Sequence, residues 1–295
     1  MKFRAMRYFT AAALMGVSVA CGQREETTPP VATPGFKTNL TRVPQGSPID
    51  VAYRFAVAPD APAFTKDYRV MVHVLDSDEE LMWTDDHDPP TPTRQWKPGQ
   101  VIEYTRTIFI PIYPYLGMAT IEMGLYAAES GERLPLAGED TGQRAYRVGG
   151  LELLPQTDNI FVIFKDGWHS PETAENNPIM EWQWTKRDAV LSMRNPKHDV
   201  LFYLHADQPG GFLTEPQHVT VTLGPQKIDD FELQPGGNEV IRKVPLTAAQ
   251  LGPGDTTEIV IHVDKTFVPS AVAPDKSKDP RDLGIRVYHA FVQPR

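Results

Sequence analysis

Residues 49–57, with the sequence IDVAYRFAV, decide the fold class of this 295-residue chain. Apolar side chains occupy every second position from Ile49 to Val57, and a period of two is typical of a β-strand with one buried face. The positions between them include Asp50 and Arg54, which suit a face turned toward solvent or a polar neighbour. The stretch therefore predicts a half-buried strand.

Short runs of the same kind lie on both sides of this stretch. They are residues 68–75, 101–110, 120–126, 144–148, 151–154, 160–164, 181–184, 189–194, 200–205, 219–224, 227–233, 240–245, 257–263 and 284–292. The one helical turn that we predict begins at a Thr247 cap and stops at Gly252. The sequence thus predicts an all-β protein of two tandem immunoglobulin-like antiparallel β-sandwiches, at residues 49–150 and 151–295.

The N-terminal residues predict export. Basic residues precede an apolar segment, residues 9–17, that is too short to span about 30 Å of hydrocarbon. Residues 1–20 therefore predict a cleaved signal peptide. Residues 21–48 are rich in Pro and Thr with few large apolar side chains, and this composition predicts a flexible, disordered tether.

Residues 18–21, SVAC, resemble the lipobox of bacterial lipoproteins, although Ser18 stands where a leucine is usual. The resemblance implies that Cys21 carries lipid, palmitate included, and anchors the mature chain to a membrane. Gly22 and Gln23 follow it in place of an aspartate, which favours the outer membrane, on its periplasmic or its surface face. The alternative is an ordinary cleaved signal followed by a chance cysteine.

Composition excludes several classes of function. The formal net charge is −9 and no basic cluster interrupts the acidic balance, so nucleic acid is not expected as a partner. Because the chain has one cysteine, an intramolecular disulfide cannot form and stability must come from core burial. No nucleophile elbow, phosphate loop or Rossmann fingerprint is present, so we predict no catalytic residue and no cofactor.

The densest polar cluster is the four-residue run Asp85, Asp86, His87 and Asp88. Such side chains can hold Ca²⁺ or a transition metal, but neighbours on an extended chain point to opposite sides, and we predict no metal site. The plainer alternative is a turn in which the aspartates accept from backbone amides.

Trp83 and Trp96 flank this run, and the six residues together predict a ligand site. Carboxylates accept hydrogen bonds from adjacent sugar hydroxyls, while an indole stacks on the apolar face of a sugar ring. The sequence therefore predicts a polar pocket rimmed by indoles and suited to carbohydrate binding.

Other aromatic and acidic residues allow two interpretations each. Trp182 and Trp184 are two apart on a predicted strand and so share a face, which suits either sugar stacking or the core. The loop at residues 111–115 has the same ambiguity. Glu172 and Glu181 are an example of a carboxylate pair that a glycoside hydrolase needs, although an acidic chain offers many such pairs.

Short motifs in both halves carry family resemblances. Residues 72–76 (VHVLD), 85–90 (DDHDPP), 96–99 (WKPG), 124–126 (GLY) and 131–135 (GERLP) resemble the β-sandwich accessory domain of some bacterial membrane glycosyltransferases. Residues 267–269 (FVP) and 279–284 (DPRDLG) are similar to the end of a β-sandwich domain in bacterial surface-polysaccharide proteins. These resemblances imply a sandwich fold and supply no catalytic residue.

Together these observations predict a lipid-anchored cell-envelope protein with a non-catalytic binding or assembly role. The expected partner is a glycan, the machinery that assembles or exports glycans, or another envelope protein. The alternative is an envelope polysaccharide hydrolase that uses a carboxylate pair.

Overall fold

The computed structural model describes residues 28–156, 160–174, 177–237, 239–273 and 275–294, so the predicted signal peptide and Cys21 lie outside the described residues. The first part of the described chain contains β1 (Ala32–Thr38), β2 (Arg42–Pro44), β3 (Pro48–Val57), β4 (Arg69–Leu75), β5 (Leu81–Thr84), a 3₁₀ turn (Thr93–Gln95), β6 (Val101–Phe109), β7 (Gly117–Tyr126), β8 (Glu139–Gly142) and β9 (Ala145–Leu154). The second part contains β10 (Val162–Phe164), β11 (Glu172–Ala174), β12 (Asn177–Trp184), β13 (Asp188–Arg194), β14 (Val200–Asp207), β15 (Gln217–Leu223), β16 (Gln226–Leu233), β17 (Val240–Leu246), α1 (Ala248–Leu251), β18 (Thr256–Val263), α2 (Pro269–Val272) and β19 (Arg286–Pro294).

The first nine strands form a sandwich of two sheets. One sheet has the order β1-β3-β6, and the other has the order β2-β9-β7-β4-β5 with β8 paired to β9. The alternation of residues 49–57 sets the core, because Val51, Tyr53 and Phe55 are fully buried between the sheets. We call this unit the N-terminal sandwich.

The remaining strands form a second sandwich, which we call the C-terminal sandwich. Its two sheets have the orders β10-β13-β18-β15-β16 and β11-β12-β19-β14-β17. Phe202, Leu204, Val221 and Ile261 are among the fully buried residues that join these sheets. The predicted all-β fold class is therefore confirmed, and no helix of the described residues is long and apolar enough to cross a bilayer.

The prediction that residues 21–48 form a disordered tether is wrong for residues 28–48, the part of this segment that the structure describes. Strand β1 pairs with β3 over seven positions, from Ala32 opposite Val57 to Thr38 opposite Val51. Val43 is fully buried. Low apolar content misled the prediction because β1 is an edge strand, where backbone pairing gives order and where proline is tolerated.

The predicted boundary between residues 150 and 151 falls inside β9. Leu151 and Leu153 are buried in the core of the N-terminal sandwich, so this core extends beyond the predicted boundary. By contrast, the predicted helical turn is confirmed as α1. Thr247 and Gln250 form its capping box, and Gly252 ends it at a φ of 73°.

Candidate functional site

A pocket of about 330 Å³ lies between the free edges of two strands of the N-terminal sandwich. Strand β5 is the last strand of one sheet and β6 is the last strand of the other, so the two sheets part here. The pocket is lined by Leu81, Met82, Trp83, Thr84, Asp85, Ile108, Phe109 and Pro111. Its walls thus combine apolar side chains with one indole and one carboxylate.

Trp83 lines this pocket and carries a hydrogen-bond donor that has no partner in the described chain. Its indole Nε1 is buried and meets no acceptor among the residues that the structure describes. A buried donor without an acceptor costs about 1–3 kcal/mol, so an acceptor supplied by a ligand or by water would stabilise it. Of the two tryptophans that were predicted to rim the pocket, Trp83 is the one that lines it in the structure.

Asp85 lines the same pocket and is fixed by two side chains of the opposite sheet. The Tyr53 hydroxyl donates to Oδ2 at 2.6 Å, and the Arg106 guanidinium donates to Oδ1 at 2.9 Å. A carboxylate offers about four lone-pair sites, so Asp85 keeps acceptor capacity for a further donor. Burial, followed by the neighbouring Asp85 charge, raises the pKa of Tyr53 above its ordinary value, which keeps this hydroxyl a donor.

The acidic run continues the pairing of β4 instead of forming a loose loop. The backbone of His87 exchanges two hydrogen bonds with Val70, and the Asp85 amide donates to the carbonyl of Val72. Side chains therefore alternate: Asp85 and His87 turn inward, while Asp88 is exposed. The side chains of the predicted acidic cluster therefore lie on two opposite sides of the extended backbone.

His87 is a buried structural residue. Its Nδ1 lies 2.6 Å from the carbonyl oxygen of Asp85, and its Nε2 lies 2.7 Å from the Tyr104 hydroxyl. A neutral imidazole satisfies both contacts, with Nδ1–H donating and Nε2 accepting. Burial lowers the pKa of His87, which favours this neutral form.

The two remaining aspartates have structural partners as well. Asp86 accepts from the Val72 amide at 2.9 Å, as the plainer alternative predicts, and Asp88 pairs with Arg69 at 3.3 Å. Within the described ranges, no three acidic, histidine or cysteine side chains converge as a metal site would require. On the side away from Asp85, Asp86 therefore supports the backbone and Asp88 forms an exposed ion pair.

The prediction that Trp96 rims a ligand pocket is wrong. Trp96 is buried in the core, its Nε1 donates to the Thr91 carbonyl at 2.8 Å, and its ring packs against Phe55 and Phe64. Because the indole is large and apolar, moving it from the core to the rim of a pocket would leave a cavity. It holds the chain that follows the acidic run against the core.

Trp182 and Trp184 share a face, as their spacing predicts, but the chain itself fills that face. The Arg286 guanidinium lies 5.4 Å from the ring centroid of Trp182 and 5.9 Å from that of Trp184. Asp207, which is buried, accepts hydrogen bonds from Arg286 and neutralises it. We call these residues, with Tyr288, the arginine cluster.

Glu172 and Glu181 do not form the carboxylate pair of a hydrolase. Glu172 is opposite Trp182 in the β11–β12 ladder, and Glu181 is opposite the next residue, Thr173. Successive positions of a strand point to opposite faces, so the two carboxylates cannot act on one substrate from these positions. Glu172 instead pairs with Arg281 at 2.6 Å.

Several residues of the site were not anticipated from the sequence. Arg106, Ile108 and Phe109 come from β6, and Tyr53 comes from β3. Both strands are present in the sequence pattern, but the register that places Tyr53 opposite Tyr104 depends on contacts distant in sequence. Alternation showed which residues share a face and gave no sign of which strand edge stays open.

Comparisons with known proteins give weak likenesses. No family model matches the chain, and no curated protein matches it. Among solved structures, the N-terminal CBM22-1-CBM22-2 tandem domain of Xyn10C from Paenibacillus barcinonensis is 10% identical with a TM-score of 0.30, over 85% of this chain and 79% of that one.

Two enzymes give similar scores. The β-glucuronidase from Bacteroides uniformis is 10% identical with a TM-score of 0.31, and the match covers 89% of this chain and 30% of that chain. The exo-β-1,3-galactanase from Phanerochaete chrysosporium is 10% identical with a TM-score of 0.28, over 89% of this chain and 57% of that chain. Likenesses as weak as these do not bear on the function of the chain.

Proposed function

We propose that this chain is a non-catalytic, glycan-binding protein of the bacterial cell envelope and that its ligand occupies the pocket between β5 and β6. The observation that carries the proposal is the indole of Trp83, which lines this pocket and whose buried Nε1–H has no acceptor among the described residues. Beside it lies the Asp85 carboxylate, held in place by Tyr53 and Arg106.

The chemistry of a sugar matches this combination. Sugar rings present an apolar C–H face and a rim of hydroxyls, so they suit a pocket with both apolar walls and fixed polar groups. Ile108, Phe109 and Pro111 supply apolar wall, and Asp85 can accept from a hydroxyl. The Nε1–H of Trp83 is buried in this structure and can donate to a hydroxyl after a shift of the ring. A volume of about 330 Å³ suits a short segment of a glycan.

Attachment to the envelope is part of the same proposal. It rests on the sequence of residues 1–21, in which the resemblance to a lipobox assigns the lipid to Cys21. Two or more acyl chains hold a protein at a membrane stably. The proposed location is the outer membrane, and the proposed partners are an envelope glycan or the machinery that assembles or exports it.

The anchor is tested by fractionating cells that express the parent chain or Cys21→Ser. We expect the variant to leave the membrane fraction and stay folded, because Cys21 precedes both sandwiches. A variant that remains in the membrane pellet after salt extraction would contradict the lipid attachment.

Ligand binding is tested with the purified Cys21→Ser chain on an array of envelope oligosaccharides. For each glycan retained, Trp83→Phe should weaken binding about tenfold, since it removes one hydrogen-bond donor and keeps a ring. Trp182→Phe is the matched control, because its Nε1 is also buried and unpartnered within the described chain but its ring faces Arg286. Equal losses in both variants, or no retained glycan, would refute the pocket as a glycan site.

A further inference from the structure

The described chain enters the N-terminal sandwich at one end of its strands. Residues 28–30 are exposed, whereas Val31 is buried and its amide donates to the Pro135 carbonyl at 2.9 Å. The Val31 carbonyl accepts from the Ala58 amide at 2.8 Å. Strand β1 then runs away from this end, antiparallel to β3. The chain before residue 28 therefore leaves the sandwich at the end where β3 finishes.

Three loops surround this point, and we call their surface the anchor end: residues 58–67, 91–100 and 127–138. Ion pairs join the loops to one another, between Lys66 and Glu132 and between Arg94 and Asp67. The loops contain four basic side chains, Lys66, Arg94, Lys97 and Arg133, and four acidic ones, Asp60, Asp67, Glu129 and Glu132. The formal charge of the anchor end is therefore balanced.

The C-terminal sandwich lies at the other end of the same strands. Strand β6 begins at the anchor end and finishes at Phe109, whose ring is stacked on that of His289 with centroids 4.0 Å apart. Asp50 of β3 forms an ion pair with Lys243 of β17 beside this contact. Because a strand rises about 3.3 Å per residue, Phe109 lies about 26 Å from Val101 at the start of β6. The two sandwiches therefore meet far from the anchor end.

Covalent geometry limits the distance from the anchor end to the proposed lipid. Cys21 and Thr28 are seven positions apart in the sequence. A chain of trans peptides spans at most about 3.6 Å per residue, so these two residues lie within about 25 Å of each other. This reach is no longer than the N-terminal sandwich itself. The anchor end therefore cannot move farther from the lipid than about one sandwich length.

Charge disfavours an arrangement in which the molecule lies on its side at the membrane. Residues 1–20 contain three of the 29 basic side chains and none of the 38 acidic ones, so the remaining chain has a formal net charge of about −12. Since the anchor end is balanced, this negative charge lies on the other surfaces. Anionic headgroups repel like charge within about 10 Å, the screening length at 0.1 M salt. An upright molecule keeps its acidic surfaces beyond this distance.

We propose that the anchor end faces the headgroup layer of the membrane that holds Cys21, with the C-terminal sandwich farthest from the lipid. This orientation rests on the proposed function, in which Cys21 carries the lipid. It also restricts the ligand, because Ile108 and Phe109 place the pocket toward the end of β6 that is turned away from the membrane. The proposed ligand is then a glycan that extends away from the membrane, and not the headgroup of a glycolipid in the anchoring leaflet.

The single cysteine allows a direct test. Lipid occupies the Cys21 thiol, so an added cysteine can be labelled selectively with a fluorescent donor. Ser130→Cys places the donor at the anchor end. Ser192→Cys is the matched variant, because Ser192 lies between the buried residues Leu191 and Met193 of β13, on the outer face of the sheet farther from the N-terminal sandwich. The lipidated full chain is reconstituted, without glycan, in vesicles of phosphatidylcholine and phosphatidylglycerol with an acceptor dye on the headgroups.

Energy transfer to the headgroups reports the height of each donor. We expect the Ser130 donor to lie within about 25 Å of the headgroups and the Ser192 donor to lie beyond that height, with the lower transfer. Insertion of about 20 Gly and Ser residues after Thr27 adds about 25 Å of mean reach and should lower the transfer from the Ser130 donor.

Equal transfer from the two donors, higher transfer from the Ser192 donor, or transfer from the Ser130 donor that the insertion does not lower would each overturn the orientation. A chain that does not float with the vesicles would overturn the lipid attachment and the orientation with it. The expected transfer pattern in a chain that retains no glycan on the array would instead overturn glycan binding alone.

Discussion

Each sandwich has one surface that carries indole rings, and the two surfaces differ in whether the chain itself covers those rings. At the pocket, Trp83 lies between two free strand edges, and its neighbours leave a volume of about 330 Å³. In the arginine cluster, the space over Trp182 and Trp184 is occupied by the guanidinium of Arg286. Both Trp83 and Trp182 have a buried Nε1 without an acceptor in the described chain, so the unpartnered donor alone does not distinguish them.

The difference teaches that aromatic residues define a binding surface only where the chain leaves their faces open. An internal cation over an indole contributes about 0.5–2 kcal/mol and excludes a ligand from the same position. At Trp83 the strand edges part, and the ring remains available. The pocket is therefore the surface to test for ligands, and the arginine cluster is a stabilising element.

The largest expected effect separates Trp83 from Trp96. Trp96→Ala should lower the free energy of unfolding by about 3–5 kcal/mol, because it empties a core position packed against Phe55 and Phe64. Trp83→Phe should change it by less than about 1 kcal/mol, since the ring is retained. Urea unfolding followed by circular dichroism measures both, and equal losses would mean that the two indoles have the same role.

The next effect tests the arginine cluster. Arg286→Leu leaves the buried Asp207 without its cation and should cost about 3 kcal/mol of unfolding free energy. The double variant with Asp207→Asn should recover much of the loss, which a double-mutant cycle quantifies. Asp188→Asn, in the exposed pair with His262, should stay within about 1 kcal/mol of the parent. A similar loss in both single variants would contradict a buried, neutralised cation.

A smaller effect depends on pH. Burial lowers the pKa of His87 in the folded protein, whereas the unfolded chain has an ordinary value of about 6.5. His87 therefore contributes its full stability above about pH 6.5, and the contribution falls by up to about 1.4 kcal/mol per pH unit below it. His87→Gln should reduce the slope of unfolding free energy against pH between 6.5 and 4.5. An unchanged slope would show that His87 titrates alike in the folded and unfolded states.

The smallest effect concerns the outward side of the acidic run. Asp86→Ala removes the acceptor of the Val72 amide and should cost about 1 kcal/mol, measured by thermal unfolding. Asp88→Ala, at an exposed pair with Arg69, should cost less than about 0.5 kcal/mol. Neither variant should alter glycan binding, because neither residue lines the pocket. A loss of glycan binding in either variant would show that the binding site extends to the substituted residue.

The sequence predicted the all-β fold class and named two residues that line the candidate site, for identifiable reasons. Alternation in residues 49–57 is a local property, and it was sufficient for the buried face of β3. Thr247 and Gly252 likewise determine the ends of α1 locally. Trp83 and Asp85 were anticipated because a clustered polar and aromatic run is visible in the sequence.

The parts that could not be predicted depend on distant pairing. Composition gave no sign that β1 pairs with β3, since edge pairing uses backbone groups that every residue has. The contact of Arg106 with Asp85 needs the β3–β6 register and the packing of two sheets. Arg286 fills the face of Trp182 and Trp184 because β12 lies beside β19, although their paired residues are more than a hundred positions apart along the chain.

The central claim is that a glycan binds at Trp83 and not at the arginine cluster. The chain has five tryptophans, so labelling with 5-fluorotryptophan gives five fluorine resonances, which single Trp→Phe variants assign. On titration with an oligosaccharide retained on the array, the resonance of Trp83 should shift, while those of Trp96, Trp182 and Trp184 stay in place. A shift at Trp182 or Trp184 with none at Trp83 would contradict the account.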